Sequence, residues 1–177
     1  MNKSKEELLL EWYEQYYEDV YRFVFFMLND KQSCGDLVHD TFIRAFTAFD
    51  RFDGRSSIKT WLFSIAKYTV IDEIRRRKRR SLFGVIPLEN EVASAFNIEQ
   101  YVENKEMVLQ LIETIHGLKP NYRLVIIINK IEEFSTKETA VILNWSETKV
   151  RKTLSRAMLA LKEKMENKGG EYFERLQ

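Results

Sequence analysis

Two sets of side chains in this sequence have the chemistry to bind a polyanion. In the first, aromatic and basic residues alternate between Phe52 and Arg80. Aromatic rings stack on unpaired bases while cations follow the phosphate backbone, so this combination suits single-stranded nucleic acid. The set consists of Phe52, Arg55, Lys59, Trp61, Phe63, Lys67, Tyr68, Arg75 and Arg76. A role in the hydrophobic core is the alternative for Trp61 and Phe63.

The second set has the layout of a helix-turn-helix between Thr136 and Arg156. Ala140 is small enough for two helices to cross closely, and Asn144 tolerates the left-handed backbone of the turn. Polar and basic side chains then follow on the last helix: Glu147, Thr148, Lys149, Arg151, Lys152, Ser155 and Arg156. Such a helix can enter the major groove, with its N-terminal residues on base edges and its cations on phosphates. An ordinary helical hairpin is the structural alternative.

Signals for catalysis or metal binding are missing from the sequence. There is no Gly-rich phosphate loop and no Ser/His/Asp set. The two histidines lie far apart, and the single cysteine has no partner for an intrachain disulfide. His39 between Asp36 and Asp40 imitates an acid–base cluster, but we interpret these residues as a polar helix face. We therefore predict that the protein is not an enzyme and uses no cofactor, metal or small-molecule substrate.

The formal net charge of the 177 residues is only +1, yet the charge is unevenly distributed. Residues 1–50 carry −5, residues 51–80 carry +7, residues 81–113 carry −5, and residues 114–177 carry +4. The two positive blocks coincide with the two candidate nucleic-acid readers, which favours a polyanionic partner. The longest apolar run, Phe23 to Leu28, is far shorter than the roughly 20 residues of a membrane span. A cytoplasmic location is expected.

The sequence contains few helix-breaking residues (6 Gly and 2 Pro), and its apolar residues recur with helical periodicity. We therefore predict an all-α fold of two small domains. Three helices, at about 8–28, 34–49 and 58–80, form the first domain, residues 1–80. Residues 81–104 are acidic and weakly periodic, and are expected to form a flexible linker. The second domain, residues 105–168, contains helices at about 107–116, 120–130, 136–143 and 147–165. Gly169-Gly170 is expected to end the last helix and leave a tail, 169–177.

These residues resemble bacterial RNA polymerase sigma factors of the extracytoplasmic-function (ECF) subfamily, within the sigma-70 family. The resemblance to region 2 rests on Asp36 to Phe46, on Phe52 to Ser57, and on Thr60-Trp61-Leu62 with Ile65-Ala66 and Ile71-Asp72. The resemblance to region 4 rests on Leu118, Arg123, the Ser135 to Glu138 capping box and Ser146 to Ala157. Together they cover roughly residues 8 to 165, in the order of the family.

The resemblance implies a role for each surface. Asp36, His39, Asp40 and Phe42 match the face that binds the β′ clamp of core RNA polymerase. The −10 element of promoter DNA would be read and melted by Phe52, Asp53, Arg55, Ser57, Lys59, Trp61, Lys67, Tyr68, Asp72, Arg75 and Arg76. The −35 element would be read by Glu147, Thr148, Lys149, Arg151, Lys152, Ser155 and Arg156. The second domain would also contact the β flap, and the acidic linker would thread the polymerase cleft.

Further partners are implied by the same resemblance. Members of this family are usually controlled by an anti-sigma factor, often membrane-anchored, which would hold the protein at the membrane. Several positions depart from the family pattern, including His39, Tyr68 and Thr148, so the promoter sequence does not transfer from relatives. The sequence is also compatible with two other classes of protein. One is a stand-alone helix-turn-helix transcriptional regulator, and the other is an anti-sigma-like or scaffold protein that binds partners without DNA.

Overall fold

The computed structural model describes residues 3–84 and 105–175, and every regular element within these ranges is helical. The all-α prediction is confirmed. The elements are α1 (Lys5–Leu28), α2 (Lys31–Ala48), a 3-10 turn (Phe49–Arg51), α3 (Ile58–Leu82), α4 (Lys105–His116), α5 (Pro120–Ile126), a π-helical turn (Ile127–Ile131), α6 (Thr136–Leu143) and α7 (Glu147–Arg175). The predicted linker, 81–104, lies outside the described residues apart from 81–84, of which the first two extend α3.

Helix α1 begins three residues before the predicted start because Ser4 and Glu7 form a capping box. The Ser4 hydroxyl accepts a hydrogen bond from the Glu7 amide at 3.2 Å, and the Glu7 carboxylate accepts one from the Ser4 amide at 2.8 Å. Two backbone donors that the first turn leaves unpaired are thereby satisfied. The helix ends at Asn29, whose left-handed backbone (φ 50°) reverses the chain.

Domain 1, the described residues 3–84, is a bundle of α1, α2 and α3 around an apolar core. The core is formed by side chains with essentially no solvent exposure, among them Val20, Phe23, Met27, Val38, Leu62, Phe63, Ala66 and Val70. Cys34 is also buried here, and its thiol donates to the Asp30 carbonyl at 3.0 Å. Burial raises the pKa of Cys34 to about 12, so the thiol stays protonated and unreactive at neutral pH.

Asp30 joins the start of α2 to the far end of α3. Its Oδ1 accepts from the Gln32 amide at 3.0 Å, which caps α2. Its Oδ2 accepts from Arg77 Nη2 at 2.6 Å and from the Ser33 hydroxyl at 2.7 Å. Burial alone would raise the pKa of Asp30, but the hydrogen bonds from Ser33 and Arg77 outweigh it and lower the pKa overall.

We expect Asp30→Ala to lower the free energy of unfolding by about 2 kcal/mol at pH 7, from a lost helix cap and a lost charge-assisted hydrogen bond. A carboxylate with a lowered folded-state pKa stabilises the protein above its unfolded pKa and loses this contribution as the pH falls. Urea titrations at pH 7 and pH 3.5 should therefore show the difference from wild type narrowing in acid. Asp50→Ala, at a site 83% exposed, is the control and should change stability by less than about 0.5 kcal/mol. An equal effect of Asp30→Ala at both pH values would contradict the assignment.

Domain 2, the described residues 105–175, packs α5, α6 and part of α4 against the long helix α7. Its core is formed by aliphatic side chains, including Ile112, Ile115, Leu124, Ile128, Ile142, Leu143, Val150 and Leu161. The chain is helical from Pro120 to Ile131, close to the predicted end at about Lys130, but its last turn is not α-helical. There the Glu132 amide bonds to the Ile127 carbonyl at 2.9 Å, five residues back, which defines a π-helical turn. The extra residue rotates the next part of the chain by about 100° relative to an α-helix.

The local geometry of the helix-turn-helix agrees with the sequence prediction. Ser135 and Glu138 form the expected capping box at the start of α6. Asn144 ends α6 with a left-handed backbone (φ 54°). The Ser146 hydroxyl then accepts from the Lys149 amide at 3.1 Å, which caps α7. These contacts fix the angle at which α7 leaves the turn.

The expectation that Gly169-Gly170 ends the last helix is wrong. Helix α7 continues through both glycines to Arg175. Two glycines in a helix cost about 1 kcal/mol each relative to alanine, which weakens a helix without necessarily ending it. No proline follows within the chain, and the residues after the pair include Glu171 and Glu174, which are good helix formers.

Candidate nucleic-acid interface

The predicted polymerase-binding face lies on α2. Asp36 and His39 are exposed, and Asp40 is half-buried. The Asp40 carboxylate accepts from Arg44 Nε at 2.9 Å, one helical turn on, and Arg44 Nη1 reaches Asp72 on α3 at 3.1 Å. This chain of charges links the α2 face to the helix that carries the candidate −10 residues.

Phe42 is not part of the exposed α2 face. It is 3% exposed and packs against the ring of Tyr13 with centroids 4.8 Å apart, because it shares the apolar side of α2 with Val38 and Ala45. The exposed apolar residue is Ile43, at 51%. Ile43 lies four residues after His39 and seven after Asp36, so helical spacing puts all three on one stripe. That spacing was the available signal, and sequence reasoning missed it.

The loop before α3 is held by a cluster of four aromatic rings. Trp12 on α1 contacts Phe49, Phe52 and Trp61 at centroid distances of 5.5, 6.4 and 6.0 Å. Phe52 and Trp61 are 5.0 Å apart. Both are therefore half-buried, with one side in the cluster and another toward solvent. For Trp61, this arrangement allows a core role and a binding role together.

The tip of that loop is polar and exposed. Asp53 Oδ1 accepts from the Arg55 amide at 3.1 Å, and the two side chains form an ion pair at 3.0 Å. Gly54 between them has φ 71°, a conformation that favours glycine. Ser57 caps α3 by accepting from the Thr60 amide at 3.1 Å. A short turn with an exposed, polar tip results.

The cations of α3 fall into two groups. Arg75 and Arg76 are exposed at its C-terminal half, close to the exposed Tyr68 and Asp72. Lys59 and Lys67 are less accessible. Lys59 Nζ pairs with Asp19 at 2.9 Å, and Lys67 is 4% exposed with its Nζ 3.8 Å from the centroid of the Tyr68 ring. The predicted DNA contact of Lys67 is thus unavailable in this conformation.

Arg77, within the six consecutive basic residues 75–80, has a structural role that the sequence did not indicate. Its guanidinium bonds to Glu73 at 2.7 Å and to Asp30 at 2.6 Å. These two carboxylates raise the pKa of Arg77 despite its burial. The run of six basic residues therefore divides between solvent and the interior of domain 1.

All the residues predicted to read the −35 element are accessible to solvent. Glu147, Thr148, Lys149, Arg151, Lys152, Ser155 and Arg156 are all exposed on α7. The opposite side of the helix, with Val150, Ala157 and Leu161, is buried in domain 2. Lys149 Nζ lies 4.3 Å from the centroid of Trp145, and Arg151 pairs with Glu147 at 3.3 Å. An exposed, mostly basic N-terminal half on a firmly packed helix suits insertion into a groove of duplex DNA.

Candidates for a metal site or a membrane span are absent from residues 3–84 and 105–175. No group of three or more His, Cys, Asp or Glu side chains there could hold a metal ion. None of the helices in that part of the chain has the length and hydropathy needed to cross a membrane.

The fold and these surfaces define a two-domain, all-helical DNA-binding protein with a helix-turn-helix in its second domain. Family models agree with both halves. The model for Sigma-70 region 2 matches residues 12–80, and the model for Sigma-70, region 4 matches residues 109–161.

Curated relatives extend the similarity to almost the whole chain. The ECF RNA polymerase sigma factor SigX of Bacillus subtilis is 32% identical over 165 residues, which are 91% of this chain and 85% of SigX. The RNA polymerase sigma factor YlaC of the same organism is 34% identical over 154 residues, 86% of this chain and 89% of YlaC. The chain belongs to the sigma-70 family of RNA polymerase sigma factors, in its extracytoplasmic-function group.

Solved structures show the same fold. The sigma factor RpoE of Bartonella quintana, in complex with the anti-sigma factor NepR, matches with a TM-score of 0.75 at 23% identity, over 88% of this chain and 95% of RpoE. CnrH, in complex with the cytosolic domain of CnrY, matches with a TM-score of 0.65 at 22% identity, over 90% of this chain and 88% of CnrH. The protein is a sigma factor that directs RNA polymerase to promoters, and nothing supports the stand-alone regulator.

Proposed function

We propose that the chain divides the work of initiation among three surfaces: the α2 face binds the β′ clamp, domain 1 reads and opens the −10 element, and α7 reads the −35 element. The single observation that carries this division is the separation of charge. An acidic stripe on α2, an aromatic and basic surface on α3, and a basic helix in domain 2 are each exposed or partly exposed on different elements.

The α2 stripe is suited to a basic partner. Asp36, His39 and Asp40 precede the exposed side chain of Ile43 by seven, four and three residues, so they share its side of α2. An apolar centre with a charged rim is the usual anatomy of a protein–protein interface. Phe42 supports this stripe from the core side. Domain 2 would add a contact with the β flap.

The loop from Phe52 to Ser57 and the exposed part of α3 would capture an extruded base of the −10 element. Unstacking a base costs a few kcal/mol, and stacking on an aromatic side chain recovers about 1–3 kcal/mol per base. Trp61, Phe52 and the exposed Tyr68 supply rings for this purpose, and Arg75 and Arg76 supply cations for the backbone. DNA opening would then proceed by binding energy without a catalytic step, and the chain is not an enzyme in this proposal.

Control of the protein would come from a separate anti-sigma factor. RpoE, whose fold this chain shares, was solved with the anti-sigma factor NepR, and CnrH was solved with the cytosolic domain of CnrY. The protein itself is expected to act in the cytoplasm, where promoter DNA and polymerase are found. A membrane-anchored anti-sigma factor would retain it at the membrane until release.

Reconstitution tests the proposal. Purified chain, bacterial core polymerase and a library of promoter sequences are combined, and initiated transcripts are sequenced. We expect transcripts only when the chain is present, starting downstream of a shared pair of sequence elements. Core polymerase alone is the control. Absence of chain-dependent transcripts from every template would overturn the proposed function.

A further inference from the structure

An exposed tyrosine and a buried lysine lie side by side on α3. Tyr68 is 52% exposed, whereas its neighbour Lys67 is 4% exposed. Lys67 Nζ lies over the Tyr68 ring, 3.8 Å from its centroid. A cation is attracted to the electron-rich face of a tyrosine ring, and burial strengthens this attraction. One face of the ring therefore holds a cation, and the exposure of the side chain places the other face toward solvent.

Lys67 differs from the other partly buried cations of domain 1, which have carboxylate partners. Lys59 pairs with Asp19 at 2.9 Å. Arg22 pairs at 2.6 Å with Glu132 of domain 2, whose side chain has 0% exposure. Lys67 makes no ion pair or hydrogen bond within the part of the chain that the structure describes. Because an unpaired buried charge is costly, the neighbouring tyrosine ring takes the place of a counterion.

Tyr68 lies apart from the aromatic cluster that holds the loop before α3. It follows Trp61 by seven residues, which puts both rings on the same side of the helix, two turns or about 10 Å apart. The exposed Asp72 and Arg75 continue the same stripe. Neighbouring bases of a stacked strand are only about 3.4 Å apart. Bases that occupy both rings would therefore be unstacked from each other, so Tyr68 offers a second, separate place for an unpaired base.

The cation behind the Tyr68 ring affects which base stacks best on its open face. A positive charge draws the π electrons toward itself and leaves the opposite face poorer in electrons. Such a face stacks most favourably on an electron-rich ring, since stacking depends on the charge distribution of both rings. Guanine is the most electron-rich of the four bases, and a purine also covers more of the ring than a pyrimidine does. Preferences of this kind come from stacking strength and need no hydrogen bond to the base.

We propose that Tyr68 and Lys67 form a guanine-selective stacking site for an unpaired base of the −10 element. Tyr68 contacts the base. Lys67 is a positioning residue that acts through the Tyr68 ring and does not touch DNA, which agrees with its burial. This role rests on the −10 function proposed for α3 above and adds the base that one of its positions selects.

Selection of single-stranded DNA by the complex of the full chain with core polymerase tests this assignment. Strands with a randomised segment are selected for binding and sequenced, for wild type and for Tyr68→Leu. We expect one position at which wild type prefers guanine and Tyr68→Leu does not, while preferences at other positions persist. The affinity for the guanine strand should fall about tenfold, which corresponds to the loss of one stacked base. Tyr68→Phe keeps the ring and should keep the preference. If no base preference depends on Tyr68, the stacking site is wrong.

A second variant tests the cation. Lys67→Met keeps an unbranched side chain in the buried site and removes the charge, and circular dichroism checks that the helices persist. Guanine should still stack on the ring, but the ratio of guanine to cytosine affinity should fall about threefold, because the ring is no longer polarised. An unchanged ratio in the folded variant would overturn the role of Lys67.

A modified base separates stacking from hydrogen bonding in the wild type. Arginine recognises guanine through its N7 and O6 acceptors, and Arg75 and Arg76 are exposed on the same helix. 7-Deazaguanine lacks N7 but is at least as electron-rich as guanine. A strand with 7-deazaguanine at the selected position should therefore bind as tightly as the guanine strand. A loss of about tenfold would assign the preference to an arginine and overturn the stacking site.

Matched controls come from the same helix. Phe83 is 80% exposed and Lys78 is exposed, and neither belongs to the proposed −10 surface. Phe83→Leu should leave all base preferences unchanged. Lys78→Met should affect every base alike, since a phosphate contact carries no sequence information. Loss of the guanine preference in either control would overturn the assignment to Tyr68.

The strand selection requires binding and no transcript, so the two proposals can fail separately. Chain-dependent transcription without a Tyr68-dependent position would count against the guanine site alone. Selective binding of guanine strands without any chain-dependent transcript would count against the proposed function alone.

Discussion

Replacing Asp36 and Asp40 together with alanine should weaken binding of the protein to core RNA polymerase by about 30-fold or more. Truncating charged partners at a protein interface costs about 2 kcal/mol or more, and each 1.4 kcal/mol is tenfold in affinity. Both side chains lie on the solvent side of α2, so the bundle should retain its stability. The measurement is a binding titration of labelled protein with core polymerase, accompanied by a thermal melt.

A matched control comes from α1. Glu14→Ala with Glu18→Ala removes the same amount of charge from exposed positions outside the predicted face. This control should change the affinity less than threefold. Equal losses in the two double variants would show that overall charge, and not the α2 stripe, determines binding.

A third variant, Ile43→Ala, should also weaken binding, because it removes the exposed apolar centre.

Replacing Arg151 and Lys152 with alanine should lower the affinity of the polymerase complex for a −35 duplex by about 10- to 100-fold at low salt. Each phosphate contact contributes about 0.9 to the slope of log affinity against log salt concentration, so losing two should flatten the slope by about 1.8. The loss should be nearly independent of base sequence, since phosphate contacts position the protein without reading bases. Affinities measured from about 50 to 200 mM salt give the slope directly.

Lys162→Ala is the control on the same helix, ten residues or about 15 Å beyond Lys152. It should leave the slope unchanged. An unaltered slope in the Arg151 and Lys152 double variant would remove these residues from the DNA interface. Glu147→Ala should act differently, by changing the preferred base sequence if the first turn of α7 contacts base edges.

The features that could be predicted best from the sequence are those that depend on only a few neighbouring residues. The capping box of α6, the left-handed Asn144 and the Ser146 cap arise from side chains that bond to their own backbone, and all are present. Ser4 and Glu7 carry the same signal, and it was overlooked. The apolar stripes of α1 and α2 were also readable, since burial follows the helical period.

Contacts between distant residues were not predictable from one sequence. Nothing in the residues around Arg22 indicates its ion pair with Glu132, which lies 110 positions later in the sequence. The resemblance assigned Phe42 to the polymerase-binding face, although the helical period alone places it on the apolar side of α2 with Val38 and Ala45. The π-helical turn was missed because its Ile-rich run fits an α-helix equally well. The predicted residue roles in polymerase and DNA binding stay predictions.

The ion pair between Arg22 and Glu132 has a consequence for the modularity of this molecule. Two helical domains joined by a long connection look exchangeable, as parts that recombination could shuffle between related factors. Yet one buried carboxylate of domain 2 is neutralised by an arginine of domain 1. A chimera that keeps Glu132 but receives an N-terminal half without the arginine would have an unpaired buried charge. Such a charge costs about 3–5 kcal/mol, so recombination would be limited to N-terminal halves that supply the arginine.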